Sequence, residues 1–316
     1  MVELSFFFHY LTIVMVTVLN ATGVAIAQGL SNRACLQAMD RQPQARNELA
    51  RIAVLGAALI ETAAVFGALM SIFLFATGPG CLDQNSYLSY LGIMVALALP
   101  GLTIGLVSAW PVREACFALA RQPFFAAKIN RFLLITLSII QTPLILSFIV
   151  ALFIRAQINS VSTFSEHLRL FSSGLAIGIG SIGSAIGLAY YAKNACRGLG
   201  INRSAYNALL TFSLISQAII ETPIILSMIV SIISLFSRAP EPIHGIIYLA
   251  AALSVALGVL SPGFNSGRTA AAAALQIAFH PMQARLLTRT SILAQTLIDT
   301  GAIYALIIAI LLIFLV

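Results

Sequence analysis

The sequence repeats one pattern four times at intervals of about 80 residues. Its markers are Glu61, Gln141, Glu221 and Asp299, which lie near the middle of long apolar segments at spacings of 80, 80 and 78 residues. Self-similarity at a fixed period identifies the architectural unit of a repetitive chain. The chain therefore consists of four copies of one unit, and each copy places one polar side chain among apolar ones.

Each unit contains two apolar stretches that are long enough to cross a bilayer, which takes about 20 helical residues. The eight stretches lie near 5–30, 50–77, 87–110, 130–154, 170–192, 208–236, 244–266 and 290–316. The chain is 60% hydrophobic and 9% charged, whereas soluble domains are about 25% charged. The sequence thus predicts an all-α membrane protein with eight transmembrane helices arranged as four tandem hairpins.

Segments rich in turn-forming residues separate the units, most clearly Thr77-Gly78-Pro79-Gly80 and Ala239-Pro240-Glu241-Pro242. The predicted domains are hairpin 1 at 1–78, hairpin 2 at 79–158, hairpin 3 at 159–238 and hairpin 4 at 239–316.

Positive charge is concentrated on one side of the predicted helices. The formal net charge is +7, and fourteen of the seventeen Lys and Arg lie around the four connections inside the hairpins. Only Arg155, Arg169 and Arg238 lie on the other side. Cytoplasmic loops of membrane proteins carry an excess of Lys and Arg. We therefore predict that these four loops are cytoplasmic, that both termini lie outside, and that no nucleic acid is bound.

The two helices of a unit differ in bulk. The first helices carry small residues, namely Ala21, Gly23, Ala25 and Gly29, then Gly101 and Gly105, then Gly174, Gly178, Gly180, Gly183 and Gly187. Small residues allow membrane helices to approach closely. A narrow helix beside a bulky one forms a wedge, and wedges associate into closed rings. We expect the hairpins to form part of such a ring.

The polar position on the second helix predicts an ion-binding site. An ionised side chain at the bilayer centre costs about 3 kcal/mol or more, so repeated acids there indicate a function for the charge. The predicted ion-binding residues are Glu61, Glu221 and Asp299. Because lipid disfavours the charged form, they should be protonated or ion-paired while they face lipid. Gln141 cannot release a proton, so one site in four is predicted to be degenerate and silent.

Two polar loops complete the pattern. Arg41-Gln42-Pro43 and Arg121-Gln122-Pro123 each begin 20 residues before the polar position of their hairpin. Together with the glycine-rich first helix, this pattern resembles the c subunit, or proteolipid, of F-type ATP synthases, along essentially the whole chain. The usual proteolipid is one hairpin, whereas four are fused here. Hairpins 3 and 4 carry Ile201-Asn202-Arg203 and Phe279-His280-Pro281 instead, so central-stalk contact is expected of the first two loops.

The resemblance implies a membrane rotor in which each carboxyl carries an ion between two half-channels, coupling ion translocation to ATP synthesis or hydrolysis. The implied partners are further copies of the chain in a ring, a stator a subunit with its arginine, the central-stalk subunits of the soluble sector, and membrane lipid. The implied location is the bacterial inner membrane. No nucleotide-binding loop or catalytic triad occurs in the sequence, so we expect a non-catalytic component without a cofactor.

The translocated ion is either H⁺ or Na⁺. The possible additional ion ligands are Gln28, Thr62, Thr142, Thr222 and Thr300, a pattern that matches sodium-binding members of the family. Sodium needs several oxygen ligands, whereas a proton needs only the carboxyl and a local acceptor. The residues that correspond to Gln28 in the later hairpins are Ser108, Leu188 and Ser266. A full ligand shell is therefore not repeated, and we favour H⁺ while leaving Na⁺ open.

Other polar residues are interpreted as structural or left open. Gln217 and Gln295 lie one turn before their acids and either hydrogen-bond to the sites or pack between helices. The four histidines lack the spacing of a metal site, and His280 is interpreted as a surface substitution. Cys81 lies apart from the other three cysteines, so no disulfide is predicted.

Two alternative functions are compatible with intramembrane acids. A secondary transporter also uses them, but its halves form inverted or paired repeats around a midplane cavity, and four hairpins of one orientation lack that symmetry. A degenerate proteolipid with a purely structural role would explain Gln141 and the altered loops. The three retained carboxyls argue against a complete loss of ion binding.

Overall fold

A computed structural model describes residues 2–80 and 83–315. Within these residues the regular structure is entirely helical, and eight spans are long and apolar enough to cross a membrane. The spans are Glu3–Arg41, Pro43–Thr77, Ser86–Arg121, Pro123–Ser160, Phe164–Ile201, Arg203–Phe236, Pro242–Phe279 and Pro281–Leu315. The predicted all-α membrane fold with eight spanning helices is confirmed.

Ten α-helices build these spans. They are α1 Val2–Arg41, α2 Arg46–Thr77, α3 Ser86–Val107, α4 Ala109–Arg121, α5 Ala126–Ile140, α6 Thr142–Gln157, α7 Phe164–Ile201, α8 Tyr206–Phe236, α9 Pro242–Phe279 and α10 Ala284–Leu315. In each hairpin a short 3₁₀ turn in the basic loop leads into the second helix. The 40 residues of α1 extend over about 60 Å, so the helix is longer than the roughly 30 Å hydrocarbon core.

Both membrane spans of hairpin 2 are interrupted, and the two interruptions lie at the same height along the hairpin. Ser108 separates α3 from α4, and Gln141 separates α5 from α6. Pro111 has no N–H to donate to the carbonyl four residues earlier, and the same is true of Pro143. The apolar pattern alone predicted two simple helices here. The two interruptions lie side by side, with the Gln141 amide nitrogen 3.5 Å from the Ser108 hydroxyl.

The first helices pack side by side in chain order, α1 against α3, α3 and α4 against α7, and α7 against α9. Their contacts are close because the facing residues are small. A Cβ atom added to Gly187 would collide with the carbonyl oxygen of Gly263, and one added to Gly267 would collide with the Cα atom of Gly187. Backbone thus lies directly against backbone, as the small-residue pattern predicted.

Two buried arginines bind helix ends on the side of the hairpins opposite the basic loops. The Arg155 guanidinium donates to the Thr77 carbonyl at 3.3 Å and to the Gly78 carbonyl at 3.0 Å. Arg169 donates to the carbonyls of Ser234 and Leu235 at the end of α8. Carbonyls at helix C-termini lack partners within the helix and carry partial negative charge. Two of the three arginines outside the basic loops are therefore structural.

The cysteines of the described part are free thiols. Cys35, Cys116 and Cys196 are buried and unpaired by disulfides, in agreement with the prediction for them. Cys81 lies outside the described residues, so its state stays a prediction.

Candidate ion-binding sites

Gln141 occupies the interface between hairpins 1 and 2. Its side chain is 5% exposed, and its amide N–H donates to the Leu59 carbonyl of hairpin 1 at 3.2 Å. The same nitrogen lies 3.5 Å from the Ser108 hydroxyl. Its oxygen Oε1 has no hydrogen-bond partner among the described residues. The amide nitrogen thus acts as a donor between two hairpins, a role that an ionised carboxylate cannot fill.

Glu221 occupies the corresponding place between hairpins 2 and 3. It is half-buried, and its carboxyl faces the Thr142 side chain of hairpin 2. Its Oε1 atom is buried and has no partner in the described part of the chain. The site is therefore formed by residues that are about 80 positions apart.

Gln217, one helical turn before Glu221, joins the same two hairpins. Its amide donates to the Thr136 carbonyl of hairpin 2 at 3.4 Å, while its oxygen accepts from the Ser213 hydroxyl at 3.0 Å. The side chain therefore packs between hairpins and does not bind the acid. This contact answers the question that the sequence left open.

Asp299 lies at the interface between hairpins 3 and 4. Its side chain is 6% exposed, and Gln295, one turn earlier, donates to the hydroxyls of Ser216 at 3.2 Å and Ser291 at 3.0 Å. The Oδ1 atom of Asp299 and the hydroxyl of Ser266 are both buried without a partner among residues 2–80 and 83–315. Ser266 corresponds in the repeat to Ser108, which contacts Gln141.

Glu61 differs from the other three because it is exposed. Within the described chain no hydrogen bond or ion pair of its side chain is present. The reason is the packing order, since Gln141, Glu221 and Asp299 each lie against the hairpin before their own. Among the described residues no hairpin packs on the corresponding side of hairpin 1. One half of the Glu61 site is thus supplied by α2 and the other half is open.

Most of the candidate ligands hydrogen-bond to backbone. Thr62 and Thr300 donate at 2.7 Å to the carbonyls of Leu59 and Leu297, three residues earlier. Thr222 donates to the Ala218 carbonyl at 3.4 Å. Threonine hydroxyls in helices commonly bond back in this way. Among the four threonines, Thr142 is the one that the structure brings to an acid.

Gln28 does not contact a carboxyl either. It is partly buried, and its amide donates to the Ala57 carbonyl of α2 at 3.3 Å. Ala57 lies one turn before Glu61, so Gln28 joins the two helices of hairpin 1 close to the open site.

The basic loops of hairpins 2 and 3 form a joint cavity of about 440 Å³. Arg121, Gln122 and Pro123 line it from the second loop, together with Asn202 and Arg203 from the third. Phe124 at its edge is fully exposed. The sequence did not place Arg203 beside the second loop, because the cavity depends on how neighbouring hairpins pack. No cluster of metal-ligating side chains occurs within the described residues.

Tandem hairpins with a polar residue at mid-helix on the second helix, packed through small residues on the first, define a polytopic membrane protein built like fused proteolipids. The family model for the ATP synthase C subunit matches residues 11–74, 171–234 and 249–312. These matches cover more than half of the chain, and the chain belongs to the ATP synthase C-subunit family. The matched ranges leave out hairpin 2, which carries Gln141 and the two helix interruptions.

Similar proteins are each about one hairpin long. The chain is 43% identical over 75 residues to ATP synthase c subunit 2 of Cereibacter sphaeroides, a match that covers 24% of this chain and 90% of the relative. It is 30% identical over 72 residues to the ATP synthase c subunit of Dehalococcoides mccartyi, covering 23% and 95%. For the ATP synthase c subunit of Clostridium beijerinckii, the values are 34% over 59 residues, 19% and 83%. These coverages agree with a tandem fusion.

Proposed function

We propose that the chain is the membrane rotor component of an F-type rotary ATP synthase or ATPase. Its hairpins couple ion translocation to ATP synthesis or hydrolysis by carrying ions on Glu61, Glu221 and Asp299. The observation that carries this proposal is the repetition of an acid at one intramembrane position in a chain of the ATP synthase C-subunit family. Gln141 is the silent member of the set.

The proposed ion is H⁺. Sodium binding requires several oxygen ligands around the ion, but Gln28 bonds to the Ala57 carbonyl and not to a carboxyl, and its counterparts in the later hairpins are Ser108, Leu188 and Ser266. A proton requires only the carboxyl, which lipid keeps in its neutral form. A positively charged arginine on a stator subunit favours the ionised form as it passes, and the ion is then released or exchanged.

Further copies of the chain complete the rotor as a ring. Gly29 of α1 has open space around the position of an added Cβ atom, whereas its counterpart Gly267 packs against Gly187. The free face of α1 thus presents a position that is buried in hairpin 4. We place hairpin 4 of a second copy on this face, where its Leu297 carbonyl and Thr300 complete the Glu61 site.

The remaining partners follow from the two ends of the hairpins. Fourteen of seventeen basic residues lie around the four loops, which supports cytoplasmic loops, outer termini and, by the family, a bacterial inner membrane. The central stalk docks on the loops that contain Arg41, Gln42 and Pro43 and Arg121, Gln122 and Pro123. The cavity shared with Arg203 adds the third loop to that surface.

Carbodiimide labelling of the detergent-solubilised protein tests the proposal. A carbodiimide reacts with a protonated carboxyl in an apolar setting, so peptide mapping is expected to find the label on Glu61, Glu221 and Asp299 at neutral pH. Labelling that Na⁺ leaves unchanged supports a proton rotor, and suppression by Na⁺ identifies a sodium rotor instead. Labelling confined to exposed acids such as Glu48 contradicts ion binding at the repeated position.

Gln141→Glu is expected to add a fourth reactive carboxyl. The new side chain is buried beside the Leu59 carbonyl, and only its protonated form can donate to that oxygen. Mapping of the labelled protein should therefore find the carbodiimide adduct at position 141, with ions carried per turn increased by a third. Gln141→Ala is the matched control and stays unlabelled. An unlabelled Glu at position 141 contradicts the equivalence of the four sites.

A further inference from the structure

The junction between two copies of the chain differs from the junctions within it, and this inference rests on the proposed ring. Within the chain, small residues meet at the loop ends of the first helices. A Cβ atom added to Gly200 would lie 2.8 Å from the Ala118 Cβ atom, and one added to Gly198 would lie 3.0 Å from the Ala278 Cβ atom. These pairs join hairpin 2 to 3 and hairpin 3 to 4.

In the described chain α1 and α9 each have one face against which no other first helix packs. These two free faces carry larger polar residues in the same register. Counted back from the repeated polar position of each hairpin, Gln276 of α9 corresponds to Ala118 and Gly198. In the same way, Asp40 of α1 corresponds to Gly200 and Ala278. Both residues are exposed, and in the described chain neither side chain has a hydrogen bond or ion pair. An amide N–H that donates to a carboxylate forms a charge-assisted hydrogen bond, so the two free faces are chemically complementary.

A second contact lies on the same register. The Gln122 amide donates to the Gly200 carbonyl at 3.1 Å, and the Asn202 amide donates to the Ala278 carbonyl at 3.1 Å. His280 is the corresponding loop residue of hairpin 4, and it is exposed. The carbonyl that it would meet in the next hairpin belongs to Asp40 of another copy. His280 was interpreted from sequence as a surface substitution, whereas this register gives it a partner.

We propose that Gln276 and His280 of one copy bind Asp40 of the next copy and mark the junction between chains. The Gln276 amide donates to the Asp40 carboxylate, and the His280 ring N–H donates to Asp40 as Gln122 and Asn202 donate to their carbonyls. The partner is a second copy of this chain. A proteolipid with small residues at these places would leave Gln276 or Asp40 without its partner, which disfavours mixed rings.

Charge exchange at the junction tests the proposal. Gln276→Glu opposes two carboxylates, and like charges in contact oppose association. We expect roughly tenfold more dissociation of purified rings into single chains on mild heating, measured by native mass spectrometry. The double variant Gln276→Glu/Asp40→Asn restores an acid–amide pair and is expected to regain wild-type ring stability. Gln44→Glu adds the same charge at an exposed loop position and serves as the control.

The outcomes separate this inference from the proposed function. Rings of the Gln276→Glu variant that are as stable as wild-type rings overturn the polar junction, while the rotor ring stands. The same holds if rings of the double variant are no more stable than those of Gln276→Glu alone. A wild-type protein that occurs only as single 33.6 kDa chains overturns the ring and the junction together.

Discussion

Replacing Glu61, Glu221 and Asp299 together by their amides is expected to reduce ATP-driven ion translocation to background. An amide cannot release a proton, so no hairpin of the variant carries an ion past the stator. The fold should persist, because Gln141 is already accommodated at the same position of hairpin 2 with its N–H bonded to the Leu59 carbonyl. Ion uptake by inverted membrane vesicles that contain the whole complex measures the effect.

The control is Glu48→Gln, which removes an acid that forms an exposed ion pair with Arg51 at 3.0 Å. Exposed pairs of this kind contribute about 0–1 kcal/mol, so vesicles with this variant should pump as the wild type does. Ion uptake by the triple amide variant at more than background level contradicts the assignment of the three acids.

Gly187→Leu is expected to prevent the first helices from packing. Gly187 of α7 lies against the backbone of α9, where an added Cβ atom would collide with the Gly263 carbonyl. Overpacking a core by a few methylenes costs about 1–3 kcal/mol when side chains can move aside. Here the obstacle is backbone, so the cost should exceed that range. Thermal unfolding and size-exclusion chromatography of the solubilised protein report the loss.

Gly29→Leu provides the matched comparison for this substitution. Gly29 lies on α1 at the position corresponding to Gly267, but it has no neighbour within 4 Å of an added Cβ atom in the chain. The variant chain should fold as the wild type does, while its assembly with further copies fails at the blocked face. Equal thermal stability of the Gly187→Leu and Gly29→Leu chains contradicts the packing argument.

The membrane fold could be predicted from the sequence because helix formation in lipid is a local requirement. Each spanning segment must satisfy its own backbone hydrogen bonds, so apolar length indicates the eight helices directly. The repeat made Glu61, Gln141, Glu221 and Asp299 equivalent without any knowledge of packing. The equivalence of Gln141 to three acids also predicted that one site in four is silent, which stays a prediction.

The neighbours of each site were decided by tertiary structure. Gln141 meets Leu59, which is 82 residues away, and Glu221 meets Thr142, because the rotation of every helix about its axis depends on the hairpin beside it. The same packing directs Gln217 to Thr136 instead of to the acid. Of the four positions Glu61 stays exposed, since each later site lies against the hairpin before its own, and within residues 2–80 and 83–315 no hairpin packs on that side of hairpin 1. The sequence by itself determined the helices and the repeated position, whereas only the packing of hairpins decided which residues complete each site.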